Sequence, residues 1–263
     1  MKTFKEKYGP WALITGASSG IGEEFARQLA KEGIHLALHG RDMAKLDTLS
    51  NHLREQYNIY TRIILADLDI ADAWRRILIE TEDLEIRLLV NNAGYIIHGG
   101  VLKSTPEKEI GLLNTNCLTP LALSQHFAVE FAQAKRGGII FTSSVASYVA
   151  APFWTQYSAT KSYDLLLAEA LWAELRPHGV DVQALCPGPT KTHIFRRSGA
   201  KVRATFFHMT TTAVVGESLL NLGRKPVVIA GLRNKLLVSF LSLLPRRWRT
   251  LINYRIMKTM IEG

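Results

Sequence analysis

Seven short apolar runs recur along this chain, and longer stretches with helical spacing lie between most of them. The runs cover residues 11–15, 34–38, 61–66, 86–90, 138–142, 180–185 and 226–230. Alternation of this kind marks βαβ units, and unbroken apolar strands belong to a sheet covered on both faces. A doubly wound α/β domain is predicted, with a parallel sheet of about seven strands flanked by helices. The first helix is expected over 21–31, and Asp42 is placed to cap the next. At 263 residues with 47% hydrophobic residues, one such domain can bury a large core, and disorder is excluded. No linker, charge block or internal repeat divides the chain. The expected organisation is a domain over 1–232 and a basic, amphipathic helical extension over 233–263.

Two cysteines, Cys117 and Cys186, rule out a disulfide framework. Lysines near the start have no apolar run behind them, so no signal peptide is expected. No stretch is long and apolar enough for a membrane span. A reducing, cytoplasmic setting follows as the expectation. The net charge of +9 is not spread in a stripe. From Arg233 onward seven basic residues stand against one acid, Glu262, so +6 of the +9 lies in that tail. No nucleic-acid partner is therefore predicted.

The turn after the first run reads Thr15-Gly16-Ala17-Ser18-Ser19-Gly20-Ile21-Gly22. Glycines allow a sharp turn and close backbone approach, and the following helix offers free N–H groups to a phosphate. The spacing G-x-x-x-G-x-G differs from the common G-x-G-x-x-G fingerprint, and a tight connection without a ligand is the competing reading. The second run ends Leu38-His39-Gly40-Arg41, with no acid for a ribose 2′-OH and an arginine suited to a 2′-phosphate. Arg41 therefore favours NADP over NAD, unless it is a solvated surface charge. Asp67 and Asn91-Asn92-Ala93-Gly94 fall at the carboxyl ends of strands three and four, where such folds bind ligands. Each also suits a plain strand-ending turn.

Tyr157 and Lys161 are four residues apart, so on a helix their polar ends share a face. A cation beside a phenol favours the phenolate and draws its pKa toward working pH. Ser144, thirteen residues earlier, is placed to meet a substrate oxygen where charge develops. Taken singly, a Tyr-x-x-x-Lys carries little meaning; its order and company carry the argument.

With that company, the sequence resembles the short-chain dehydrogenase/reductase family, in its single-domain form with a Rossmann-like fold. In order it carries Thr15-Gly16, Gly20-Ile-Gly22, Asp67, Asn91-Asn92-Ala93-Gly94, Asn116, Ser144, Tyr157, Lys161 and Pro187-Gly188, over about residues 8–232. The runs 8–15 and 172–180 look like a bacterial branch of mostly uncharacterised members. The resemblance implies an NAD(P)-dependent oxidoreductase acting on CH–OH groups. Tyr157 would be its acid and base, and Lys161 would lower the tyrosine's pKa and hold the nicotinamide ribose. Ser144 would polarise the substrate oxygen, and Asn116 would anchor a proton relay, with Asn114 as its neighbouring rival. Ser18, Ser19 and Ile21 would contact phosphates and the adenosine ribose, while Asp67 and Leu68 flank adenine. The Asn92 backbone, within Asn92-Ala93-Gly94, would meet the inner ribose. Pro187, Gly188, Thr190 and Thr192 would surround the carboxamide. The cofactor implied is NADP(H), with NAD(H) as the alternative. Two residues depart from the pattern: Ser19 stands where many NADP-preferring relatives carry a basic residue, and Lys191 where near relatives carry an acid. Lys191 is expected to face water.

Ile96, Ile97, the stretch 145–154 and the loop 193–209 border this group and are rich in aromatics, notably Tyr148, Phe153, Trp154, Phe195, Phe206 and Phe207. They predict a hydrophobic carbonyl or alcohol substrate, although core packing would also use such residues. His193 and His208 have no metal-ligand spacing, so no metal is assigned. The tail 236–249 joins an apolar run to a basic cluster. Helices packed on the body or on a neighbouring subunit are the favoured reading, and contact with an anionic membrane is the other. The family points to a homodimer or homotetramer. A catalytically idle NADP-binding protein and an epimerase or dehydratase are the rival functions; an intact Tyr–Lys pair argues against the first, and the lack of a large substrate domain against the second.

Overall fold

The computed structural model describes residues 3–191 and 208–262. Its centre is a seven-stranded sheet: β1 Trp11–Ile14, β2 His35–Gly40, β3 Thr61–Leu65, β4 Ile86–Asn91, β5 Gly137–Thr142, β6 Val180–Cys186 and β7 Val227–Ile229. All neighbours are parallel, in the order β3-β2-β1-β4-β5-β6-β7. Every predicted strand is present, with no end moved by more than two residues. The order reverses between β1 and β4, so a crevice opens beyond their carboxyl ends, where such sheets hold ligands.

Ten α-helices are described: α1 Phe4–Tyr8, α2 Gly20–Lys31, α3 Met43–Tyr57, α4 Trp74–Ile79, α5 Pro106–Leu113, α6 Thr119–Ala134, α7 Thr155–Leu175, α8 Thr211–Asn221, α9 Leu232–Ser242 and α10 Arg246–Glu262. Asp42 caps α3 as predicted, accepting from the Lys45 N–H at 3.2 Å. Pleating sends alternate strand residues to opposite faces. Ala12 and Ile14 of β1 join α2, α3 and α8 in one buried layer through Phe25, Leu29, Leu46 and Val214. Leu13 joins α6 and α7 in the other, through Leu123, Phe127, Phe131 and Leu165. Both faces of the sheet are covered, which is why its strands read as continuous apolar runs.

The stretch 193–209 is the loop expected to border the site. At its base Thr190 and Met209 meet in an isolated bridge, with the Met209 N–H donating to the Pro189 carbonyl at 3.0 Å. Thr192, His193, Phe195, Phe206 and Phe207 lie outside the described residues. Among the described residues no helix is long and apolar enough to cross a membrane.

Candidate active site

The glycine-rich turn leaves β1 and enters α2. Gly16 has φ +68° and Gly20 φ +64°, a region open to glycine at little cost. At Gly22 the constraint is spatial: a Cβ there would stand 2.3 Å from the Gly16 carbonyl oxygen. Thr15 locks the turn to the strand-four segment. Its hydroxyl accepts from the N–H groups of Asn92 (2.9 Å) and Ala93 (3.0 Å). The Asn92 side chain returns the bond, donating to the Thr15 and Gly16 carbonyls at 3.0 and 3.3 Å. Asn92 thus shapes the phosphate turn with its amide, a role beyond the backbone contact the sequence suggested.

His39 is a second clamp that the motif reading passed over. Its Nε2–H donates to the Ala66 carbonyl (3.1 Å), and Nδ1 accepts from the Gly16 N–H (3.4 Å). Burial pushes its pKa down to about 4, so the ring is neutral and has one donor and one acceptor to give. Arg41 lies at the rim, half exposed, with Nη1 3.3 Å from Asp67 and 3.8 Å from Asp69. The carboxylates hold the guanidinium at the cleft edge without burying it.

Across the cleft, α7 brings Tyr157 and Lys161 to one buried face; they are 8% and 5% exposed. The ammonium stands 6.0 Å from the centre of the phenol ring. It donates to the Thr142 carbonyl at 2.8 Å and to Asp164 at 2.9 Å. Burial alone would lower the Lys161 pKa, but Asp164 and Tyr157 outweigh it and raise it, so the lysine is charged. Ser144 lies two residues beyond β5, and its hydroxyl accepts from the Ala146 N–H at 3.1 Å. Ser143 ties the strand end to α7, donating to the Lys161 carbonyl at 2.7 Å.

A π-helical turn, Asn114–Leu118, links α5 to α6 and turns the two asparagines apart. Asn114 donates to the Asp69 carbonyl (2.8 Å), away from the lysine. Asn116, fully buried, exchanges bonds with the Tyr95 backbone and donates to Thr160 at 3.1 Å. A Cβ on Gly94 would lie 3.3 Å from Asn116 Oδ1 and 3.4 Å from the Lys161 ammonium, so both groups close against that glycine.

These residues surround one cavity of about 1130 Å³, more than a site for one small ligand needs. Gly16, Ser18, Ser19, Gly20, Ile21, Arg41, Asp67, Leu68, Asn92, Ala93, Gly94, Ser144, Tyr157, Lys161, Pro187, Gly188 and Thr190 all line it. Gly22 and Asn116 stand behind the lining. Ser19 makes no side-chain cap on α2, and a glycine turn, a helix N-terminus and a rim arginine suit the phosphates of a dinucleotide. Of the predicted pocket residues, Ile96, Val149 and Trp154 face the cavity, whereas Ile97 does not. Tyr148 packs into the α6–α7 core layer, and Phe153 stacks on Tyr254 at 5.5 Å. Lys191 is exposed, as expected.

The tail supplies what the sequence reading missed. Helices α9 and α10 pack on the body and wall the cavity with Leu237, Val238, Leu241, Ile256 and Met257. Asn253 donates to the Ala150 carbonyl at 2.7 Å, and Asn234 packs on Gly188 so closely that a Cβ there would clash at 2.4 Å.

Residues 10–203 match the family model for short chain dehydrogenases. The chain belongs to the short-chain dehydrogenase/reductase family and is an NAD(P)-dependent oxidoreductase acting on CH–OH groups. It is 34% identical over 241 residues to a 7beta-hydroxysteroid dehydrogenase of Mediterraneibacter gnavus, covering 89% of this chain and 90% of that one. A solved 7beta-hydroxysteroid dehydrogenase superposes with a TM-score of 0.86 at 30% identity, covering 92% of this chain and 95% of the other. A short-chain dehydrogenase from Sphingobium yanoikuyae in complex with NADPH gives 0.79 at 33% identity, over 84% and 87%.

Proposed function

We propose that the protein interconverts a bulky hydrophobic ketone and its secondary alcohol, with NADP(H) as the redox partner. The observation that carries this is the single cavity in which Tyr157, Lys161 and Ser144 face an apolar wall built from α9 and α10. Its relatives acting on hydroxysteroids support a rigid, steroid-sized substrate. Arg41 at the rim supports NADP over NAD, since a guanidinium pairs with a phosphate through two parallel bonds.

Bound in the cleft, the nicotinamide supplies or accepts the hydride. The chain's own residues do the rest. Ser144 turns its hydroxyl from the Ala146 N–H toward the substrate oxygen and holds it beside Tyr157. Tyr157 donates its phenolic proton to that oxygen in reduction and takes it back in oxidation. Lys161, charged, stabilises the phenolate left behind and reaches the ribose hydroxyls. Asn116 holds the Tyr95 backbone and Thr160 so that a proton can leave past the lysine. The apolar wall excludes water from the reacting oxygen. Residues 1–232 form the cofactor-binding unit in this reading, and the 233–263 helices close its substrate side.

A panel of carbonyls and alcohols, followed by NADPH absorbance, tests the proposal. Steroid-sized ketones should turn over, NADPH should be used at lower KM than NADH, and Arg41→Ala should raise the NADPH KM about tenfold or more and erase the preference. Outright preference for NADH would contradict the cofactor assignment.

A further inference from the structure

Among the described residues Asp164 is the one carboxylate against the ammonium, and no part of the family motif accounts for it. It lies one turn beyond Lys161 on α7, is 2% exposed, and holds the ammonium at 2.9 Å. It does not line the cavity. Its second oxygen, Oδ1, is buried without a hydrogen-bond partner among the described residues. A half-satisfied buried ion pair is poor material for stability, because apolar residues of like volume do as well or better. The titratable groups that face it are Lys161 on its own helix, Tyr163 beside it, and Cys117 from the π-turn; β5 contributes the Thr142 carbonyl, which does not titrate, and Tyr157 meets the ammonium rather than the carboxylate. Burial raises the Asp164 carboxyl to about 6 against the pull of Lys161.

We propose that Asp164 is a positioning residue for the acid–base pair: it fixes the Lys161 ammonium between β5 and α7 and offsets part of its charge as felt by Tyr157. The inference rests on Tyr157 being the acid and base. An ammonium stabilises a phenolate in proportion to its unbalanced charge. With the carboxylate ionised, the pair presents a dipole to the phenol. With the carboxyl neutral, the phenol faces a full positive charge. An ionised Asp164 therefore weakens the hold of Lys161 on a phenolate, and its removal strengthens that hold. The same carboxylate keeps Lys161 protonated despite burial, so its loss also brings forward the alkaline limit, where the lysine is neutral.

Asp164→Asn keeps an oxygen acceptor for the ammonium and deletes the charge. In alcohol oxidation, the pH at which kcat/KM rises should move down by roughly one unit relative to wild type, with activity falling earlier at alkaline pH. A variant profile that keeps both midpoints while its rate drops uniformly would mean a merely structural residue and would overturn the proposal. If the variant does not fold, the wild type still decides: its kcat/KM profile should carry an ionisation near pH 6 besides that of Tyr157, and a single ionisation across that range overturns the proposal. Tyr157→Phe run in parallel separates the two ideas. Activity retained there removes the acid–base reading itself, whereas an inactive Tyr157→Phe with an unmoved Asp164→Asn profile removes only the role of Asp164.

Discussion

His39, two residues before Arg41, carries no part of any recognisable motif, yet it ties the phosphate turn at Gly16 to the end of β3 at Ala66. Its folded pKa, about 4 through burial, lies below the ordinary histidine value near 6.5. Between those values the unfolded chain binds a proton that the folded chain refuses. Its stabilising effect is thus complete above about pH 6.5 and is lost as pH falls toward 4, by about 3 kcal/mol in all. Thermal unfolding followed from pH 7 to 4 should show a steeper loss in the wild type than in His39→Gln; parallel curves would contradict the neutral clamp. At this scale the sequence made the proposed reacting groups legible, because Tyr157, Lys161 and Ser144 lie within eighteen residues. The clamp was not legible, since it joins residues 23 and 27 positions apart through a side chain with many other uses.

Among the elements, the strands were the most readable, because burial on both faces writes each one as an unbroken apolar run. Helix α7 shows how a regular element assembles a site: Tyr157, Thr160, Lys161 and Asp164 fall at helical spacing on the side facing β5 and the π-turn. The π-turn itself left no mark in the apolar pattern, although it decides that Asn116 and not Asn114 meets the Tyr95 backbone and Thr160. Helices α9 and α10 were readable as helices but not as cavity walls. Their apolar residues divide between an inner set at Val238, Leu241 and Met257 and an outer set at Leu236, Phe240 and Trp248. Only the fold can sort residues that helical spacing spreads around the whole circumference.

At the scale of the whole molecule, two faces of the described residues gather exposed apolar side chains. Leu118, Leu121, Val129, Tyr163 and Leu166 stand exposed along the π-turn, α6 and α7, around a shallow apolar hollow at Leu113 and Cys117. We propose this face as the contact of a homodimer: light scattering should give twice the chain mass, and Leu166→Glu should give the monomer. A wild type that is already monomeric would contradict it. The outer set on α9 and α10 lies among Arg246, Arg247, Arg249 and Arg255, and we propose it as a peripheral contact with anionic lipid. The full chain should sediment with anionic vesicles and not with neutral ones, and equal behaviour with both would remove that contact. Beneath either surface, the account depends on a phenol that gives its proton beside a buried ammonium. Steady-state reduction of a bulky ketone by Tyr157→Phe, with NADPH affinity measured by fluorescence on the same preparation, tests this most directly. Turnover should fall by about 10²–10⁴-fold with cofactor affinity kept; near-native turnover with the tyrosine hydroxyl gone would mean that another group moves the proton.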